Sequence, residues 1–290
     1  MAARTDRYVD LHLHTAASDG TLTPEQLVDF ASSKGYKAIA VTDHDSWESI
    51  GAAAALGSRV GLEVIPGIEL STNIDEREIH VLGYFIDHND RVFQAQVTHF
   101  KNARIERAAR MVEKLSGMGV QVKMDRVMEI AGGGSVGRPH VARALQELGY
   151  VGSVDEAFSR YIGAGCPAYV GKDFLTPEES FTMIHGAGGL AFFAHPGIEG
   201  ADELIDGFIS AGLDGIEVWH ARHTAAQAKR YQELAARKKL LVSGGSDFHG
   251  ENSGSAASRC AVKVPYEVVE RMKERLSEAT IRKWTQNVTE

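Results

Sequence analysis

The sequence predicts an α/β barrel carrying a mostly helical insertion, on three observations. Short apolar runs alternate with helix-like segments over the first ninety residues and again from about residue 164. Histidines and carboxylates stand where those runs end. Between the two stretches, from about Arg91 to Gly163, the pattern is helical with no comparable run of strands. Repeated β-α units argue for a parallel sheet with right-handed crossovers. Catalytic-type side chains at several strand ends favour a closed barrel over an open sheet.

The first strand is Tyr8–His14, whose alternation puts Asp10, His12 and His14 on one face and Leu11 and Leu13 on the other. Thr23-Pro24-Glu25-Gln26 then opens a helix, with Thr23 as N-cap, Pro24 at the first position and Gln26 three residues after the cap. Lys34-Gly35 closes it. A strand over Ala38–His44, an Ala-rich helix over Ser46–Leu56, and strands over Glu63–Leu70 and Glu78–Ile86 follow. The insertion, 91–163, carries helices over Phe93–Leu115 and His140–Leu148 and is expected to cap the barrel mouth. The plainer alternative is an extra helical layer away from it. Its Gly-rich run, Ala131–Gly137, reads as a mobile loop, because it lacks the Lys-Ser/Thr of a phosphate-binding loop and the Gly spacing of a dinucleotide fold. The barrel, 1–90 and 164–290, resumes with a helix from Thr176-Pro177-Glu178-Glu179 and strands over Leu190–Ala194, Gly215–His220 and Leu240–Ser243. Helices from Ala201 and over Thr224–Lys238 separate these strands.

A chain of 290 residues, 43% hydrophobic and 24% charged, buries an ample core as one large barrel or two ordinary domains. A net charge of −8 argues against duplex DNA held on a basic surface, yet leaves room for a small anion, since bound cations invert the local field. Cys166 and Cys260, far apart and in no Cys-x-x-Cys pattern, read as reduced thiols. The start lacks the apolar region of a signal peptide, and no apolar run approaches the ~18 residues of a membrane helix. The expectation is a cytoplasmic protein that engages no membrane and has no obligate protein partner.

Six histidines and three carboxylates make up the strand-end pattern: His12, His14, Asp19, His44, Glu69, His80, His195, Asp247 and His249. One His-x-His is weak evidence; matched segments in order are strong. Carboxylates mixed with imidazoles, without thiolates, suit Mn²⁺, Zn²⁺, Fe²⁺ or Mg²⁺. A structural zinc site is usually closed by four ligands, often cysteines. Nine candidates are too many for one ion, so two or three divalent ions per chain are expected, and a cluster with open positions is catalytic by default.

Asp10-Leu-His-Leu-His14, Ser18-Asp19-Gly20, Thr42-Asp-His-Asp45, Gly67-Ile-Glu69, His80, Ala194-His-Pro196 and Ser246-Asp-Phe-His249 together resemble the PHP (polymerase and histidinol phosphatase) family. Its members bind three metals at the mouth of a distorted (β/α)7 barrel. Within the family the chain looks most like stand-alone bacterial phosphoesterases with a helical insertion, which include 3′,5′-nucleoside bisphosphate phosphatases and enzymes that trim short RNAs from the 5′ end. The resemblance implies one metal on His12, His14 and Asp247, a second on His80 and His195, and Glu69 bridging them. It implies a third on Asp19, His44 and His249; some members have His in place of Asp19, where a carboxylate is chemically sound for Mn²⁺, the ion expected first of the four.

Asp10, Asp43 and Asp45 are candidates for orienting ligand imidazoles from behind, while Glu217 and His220 either reach the site or are structural. A phosphorylated nucleotide needs cations beyond the metals. Arg138 and His140 stand at the start of an insertion helix, where free N–H groups favour anions; Lys172, Arg222 and His223 follow strands. Their alternative is solvated surface. The expected reaction is hydrolysis of a phosphomonoester on a nucleotide with more than one phosphate, with Glu69 and the proton donor His223 as catalytic residues. Short 5′-phosphorylated oligoribonucleotides are a further possible substrate. Histidinol phosphate hydrolysis, amidohydrolase chemistry and a non-catalytic metal-binding module remain the alternatives.

Overall fold

A computed structural model of the chain describes residues 8–74, 77–131, 136–171, 175–250 and 262–276. The strands are β1 (Tyr8–Leu13), β2 (Ala38–Val41), β3 (Glu63–Ile74), β4 (Arg77–Tyr84), β5 (Leu190–Phe193), β6 (Gly215–His220), β7 (Leu241–Gly245) and β8 (Val264–Pro265). The helices are α1 (Pro24–Ser33), α2 (Ile50–Val60), α3 (Arg91–Gly117), α4 (Met124–Ala131), α5 (Arg138–Glu147), α6 (Val154–Ala157), α7 (Pro177–Gly186), α8 (Pro196–Glu199), α9 (Ile205–Ala211), α10 (Ala225–Lys238) and α11 (Glu267–Arg275). A π-helical turn, Phe158–Ile162, follows α6.

The seven strands read from the sequence stand side by side in chain order, and β8 flanks β1 on its other edge. The ring nearly closes where the segment after β7 meets β1: Asp247 N–H donates to His12 O at 2.9 Å and His14 N–H to Phe248 O at 3.0 Å. Gly245 permits this approach, since a Cβ there would lie 2.3 Å from the Cβ of His12. The capping box expected at Thr23 is present, with Thr23 Oγ1 accepting from Gln26 N–H at 3.3 Å. Leu13, Ile39 and Val41 pack against Leu27 and Val28 of α1 and Ala53 of α2, so these helices sheathe the first strands.

The expectation of an all-parallel sheet fails at β4, which runs antiparallel to both β3 and β5. Two residues separate β3 from β4, whereas a parallel neighbour needs a crossover of about a dozen or more. The reversal brings the beginning of β4, not its end, to the barrel mouth, and His80 with it.

The connection from β4 to β5 contains the helical segment. The first turns of α3 belong to the barrel, where Phe93 and Val97 join Phe181, Met183 and Ile184 of α7. Its later turns join a separate cluster that includes Ala108, Leu115, Val127, Val141, Leu145, Ile162 and Ala168. Lys114 Nζ donates to Tyr169 O at 2.6 Å and Arg107 Nε to Val170 O at 3.0 Å, tying α3 to the returning chain. Cys166 is a free, half-buried thiol. Cys260 and most of the Gly-rich run lie outside the described residues. Among the described residues no helix is long and apolar enough to cross a membrane.

Candidate metal centre

The nine side chains singled out in the sequence converge on the mouth of the barrel. His12 comes from β1 and His14 from just beyond it; Glu69 lies within β3, and His80 within β4. His44 follows β2, His195 follows β5, and Asp247 and His249 follow β7. Asp45, His195 and Asp247, each just past a strand, have φ of 46°, 28° and 55°, in the left-handed region that side chains other than glycine rarely adopt. Such strain gathers where a fold fixes a side chain for use.

Glu69 is the hub. Its Oε1 lies 2.9 Å from His80 Nδ1 and 3.0 Å from His195 Nε2. Its Oε2 lies 3.0 Å from His12 Nε2, 3.2 Å from His14 Nε2 and 3.4 Å from His44 Nδ1. Asp247 Oδ1 lies 3.2 Å from His14 Nε2 and 3.5 Å from His12 Nε2. Asp19 Oδ1 lies 3.2 Å from His249 Nε2. Among the described residues the donor atoms come close enough to share an ion in five groups: His12, His14, Glu69 and Asp247; His14, Asp19, His44 and His249; His12, Glu217 and His220; His44, Glu69 and His80; and His80, His195 and Glu199.

The loop with Asp19 is held by a buried carboxylate. Asp43 accepts from Thr15 N–H at 2.6 Å, Thr15 Oγ1 at 2.7 Å and Ser18 Oγ at 2.7 Å, and also from Ser49 Oγ. Gly20 lets the loop turn against His14, whose carbonyl oxygen would meet a Cβ at 2.5 Å. Asp10 accepts from Ser246 N–H at 2.9 Å, and Asp45 accepts from Ser71 N–H at 3.0 Å and pairs with Arg104 Nε at 2.9 Å. These three aspartates, expected to orient imidazoles, instead hold loops and backbone. The imidazoles are met from behind by Glu217, 2.9 Å from His12 Nδ1, and by Glu199, 3.1 Å from His195 Nδ1.

Electrostatics mark the cluster as a place for positive charge. Burial alone would raise Glu69, but His44, His12 and His80 outweigh it and hold the carboxyl well below its usual range. Burial likewise opposes protonation of His14 and His195, yet neighbouring carboxylates push them up to about 10 and about 9. For His44 burial prevails and lowers it to about 4. Both ring nitrogens of His14, and Nδ1 of His44, are buried without a hydrogen bond of proper geometry. Orphaned imidazole nitrogens between carboxylates fit divalent cations of hard or borderline character, which would replace protons there.

A pocket opens from this cluster towards the insertion. It is lined by Asp19, His44, Glu78 and His80 of the barrel and by Arg104, Arg107 and Met111 of α3, Arg138 and His140 of α5, and Phe158; Glu78 lies 3.8 Å from Arg104 and 3.9 Å from Arg138. Arg138 stacks over the Phe158 ring at 5.4 Å. Arg107 is pulled down to about 10, first by burial and then by Arg138, and still carries its charge at neutral pH. His140 Nδ1 accepts from Gly137 N–H at 2.9 Å, which leaves Nε2 as the proton-bearing nitrogen.

Two expected substrate contacts are corrected. His223 Nδ1 donates to Val218 O at 2.9 Å and Nε2 accepts from Gly197 N–H at 3.1 Å, so backbone engages both nitrogens and neither is available to protonate a leaving group. Burial also lowers its pKa. Arg222 is exposed and does not line the pocket; its backbone N–H donates to His220 Nδ1. Lys172 lies outside the described residues. Sequence reasoning missed Arg104 and Arg107, whose three-residue spacing puts them on one helix face, a pattern that reads equally as a solvated surface.

The family model described as the PHP domain matches residues 10–131. The chain is 33% identical over 252 residues to a 3′,5′-nucleoside bisphosphate phosphatase of Chromobacterium violaceum, covering 85% of this chain and 88% of that protein. It is 36% identical over 250 residues to the 5′-3′ exoribonuclease Rnm of Escherichia coli K12, covering 83% and 84%. A crystal structure of a metal-dependent phosphoesterase from Bifidobacterium adolescentis superposes with a TM-score of 0.79 at 31% identity, over 94% of this chain and 97% of the other.

Proposed function

The chain belongs to the PHP family of metal-dependent phosphoesterases, and from that premise we propose that it removes the 3′-phosphate of nucleoside 3′,5′-bisphosphates in the cytoplasm. Trimming of short 5′-phosphorylated oligoribonucleotides at the same site is the second activity, favoured by the likeness to the exoribonuclease. One observation carries the reading: the carboxylate–imidazole cluster and three arginines of the insertion line one pocket. Two adjoining places for negative charge suit a substrate with one phosphate to cleave and another to grip.

Two to three Mn²⁺ ions are the proposed cofactor, held by His12, His14, Glu69 and Asp247, by Glu69, His80 and His195, and by Asp19, His44 and His249. Divalent ions bound there would supply an acidified water and positive charge against the phosphoryl oxygens. Glu69 presents one oxygen to each of the first two donor sets, which suits a bridging role. Arg104, Arg107 and Arg138 bind the phosphate that does not react, so their binding energy is spent on orienting the one that does. His140 replaces His223 as the imidazole that donates a hydrogen bond to substrate. Residues 91–163 act as the cap that supplies these groups, and the insertion's own apolar cluster, which extends to Ala168, supports that division.

The test is a substrate panel on chelator-stripped protein resupplied with Mn²⁺: adenosine 3′,5′-bisphosphate, a 5′-phosphorylated RNA trimer, histidinol phosphate and an aryl phosphate. The reading expects the bisphosphate to give the highest kcat/KM. Preference for histidinol phosphate would replace it with the amino-alcohol phosphatase reading, and no Mn²⁺-dependent hydrolysis of any phosphate ester would end it.

A further inference from the structure

Strand β6 contributes none of the nine proposed ligands, yet it buries a carboxylate directly behind two of them. Glu217 is 0% exposed. Its Oε1 lies 2.9 Å from His12 Nδ1, and its Oε2 accepts from the backbone N–H of His195 at 2.8 Å. In front, the two oxygens of Glu69 meet the same two histidines, Oε2 at His12 Nε2 and Oε1 at His195 Nε2, both at 3.0 Å. Two carboxylates thus clamp one pair of histidines from opposite sides.

We propose that Glu217 is a positioning residue that couples the first two metal positions, by fixing the ring of His12 and the backbone of His195 with a single side chain. The proposal rests on the ligand assignment given under Proposed function. An Nδ1–H···Oε1 contact selects the tautomer of His12 whose Nε2 lone pair points forward. At His195 the need is different, because the backbone there has φ 28° immediately before Pro196, a position that disfavours helical geometry. The Oε2 contact holds that strained turn and keeps the ring on Glu69. Because both contacts belong to one rigid carboxylate, neither metal position can shift without disturbing the other. His220 supplies an internal contrast: its Nε2 faces only Asp247 Oδ2 among the proposed ligands' oxygens, at 3.4 Å, and so supports one position.

Glu217→Gln tests the coupling. An amide cannot accept at both ends, so one former acceptor faces a donor. Chelator-stripped wild type and variant are titrated with Mn²⁺, free ion being followed by electron paramagnetic resonance, with the melting temperature of each ion-free protein as control. The expectation is that the two tightest ions weaken together, each by about tenfold or more, while the ion-free melting temperature changes little. A variant that loses only one affinity, or keeps both, overturns the proposal, as does a lowered ion-free melting temperature with unchanged affinities. Wild type that binds no Mn²⁺ overturns the ligand assignment instead. Should the variant fail to fold, ¹⁵N resonances of Zn²⁺-loaded wild type decide the matter. His12 protonated at Nδ1 supports the proposal, and His12 ligating through Nδ1 refutes it.

Discussion

The donor cluster has two halves built from the same residue types on different supports. The deep half, His12, Glu69 and His195, is buried and borne by β1, β3 and the end of β5. Glu217, itself buried, stands behind His12. The outer half, Asp19, His44 and His249, rides on loops; the Asp19 side chain is 37% exposed and the two imidazoles 17%. What differs is the cost of moving a ligand. A strand-borne side chain moves only with the sheet, whereas Asp19 moves with a loop stapled by one carboxylate, Asp43. The deep ions are therefore expected to be permanent parts of the protein and the outer ion to exchange.

The largest effect is expected where both halves meet. Glu69→Gln keeps volume and removes the charge that both oxygens present to five imidazoles. Activity should fall by well over about a hundredfold, more than the loss of a supporting contact behind a ligand, and elemental analysis should show fewer than two ions. Near-wild-type turnover at full metal content would falsify the hub. Asp19→Asn should be milder and separable: one ion lost on dialysis, two retained, and hydrolysis restored by excess Mn²⁺. If all ions leave together, the two halves are one unit and the comparison fails.

Arg138→Ala tests the arginines of the pocket. Losing a charge-assisted contact costs about 1.5–3 kcal/mol, roughly ten- to a hundredfold, and the loss should appear in kcat/KM for the bisphosphate but not for an aryl phosphate. Arg222→Ala, altering an exposed side chain outside the pocket, should leave that ratio unchanged. Equal losses on both substrates in Arg138→Ala would move this arginine to the reacting phosphate.

The smallest effect is expected away from the pocket, where His185 of α7 pairs with Asp214 at 2.8 Å. The Asp214 hydrogen bond raises His185 above its ordinary value. A raised histidine stabilises the fold fully below about pH 6.5 and loses that contribution as pH rises through the folded value. His185→Ala should destabilise the fold more at pH 5.5 than at pH 9, by less than about 1 kcal/mol for so exposed a pair, read as a correspondingly larger drop in melting temperature at the lower pH. Metal content should not change; if it does, the barrel transmits strain between its ends.

Much of this was legible in the chain. Alternation in β1 put His12 and His14 together, and the seven strands lie where apolar runs predicted them. The direction of β4 was legible too, in the short gap between Leu70 and Glu78, but the β-α rhythm on either side outweighed it. Other features need three dimensions. The contacts of His223 depend on Gly197 and Val218 approaching from two strand ends, which no spacing reveals. Arg104 and Arg107 look like any solvated face until a barrel stands opposite. Glu217, a carboxylate in an apolar strand, was visible as an anomaly, but its partners were not.

Helix α3 is unbroken over 27 residues, about 40 Å at 1.5 Å per residue. Its foot is sunk in the barrel core through Phe93 and Val97, and its middle carries Arg104 and Arg107 past the cluster. On the proposed assignment, it would divide substrate recognition between a fixed and a replaceable part. The two arginines of α3 are anchored to the same core as the ligands, while Arg138, His140 and Phe158 belong to what the helix carries above them. A chimaera joined beyond Met111 would inherit the metal cluster and half of the anion grip, and take its remaining selectivity from whatever cap is grafted on top.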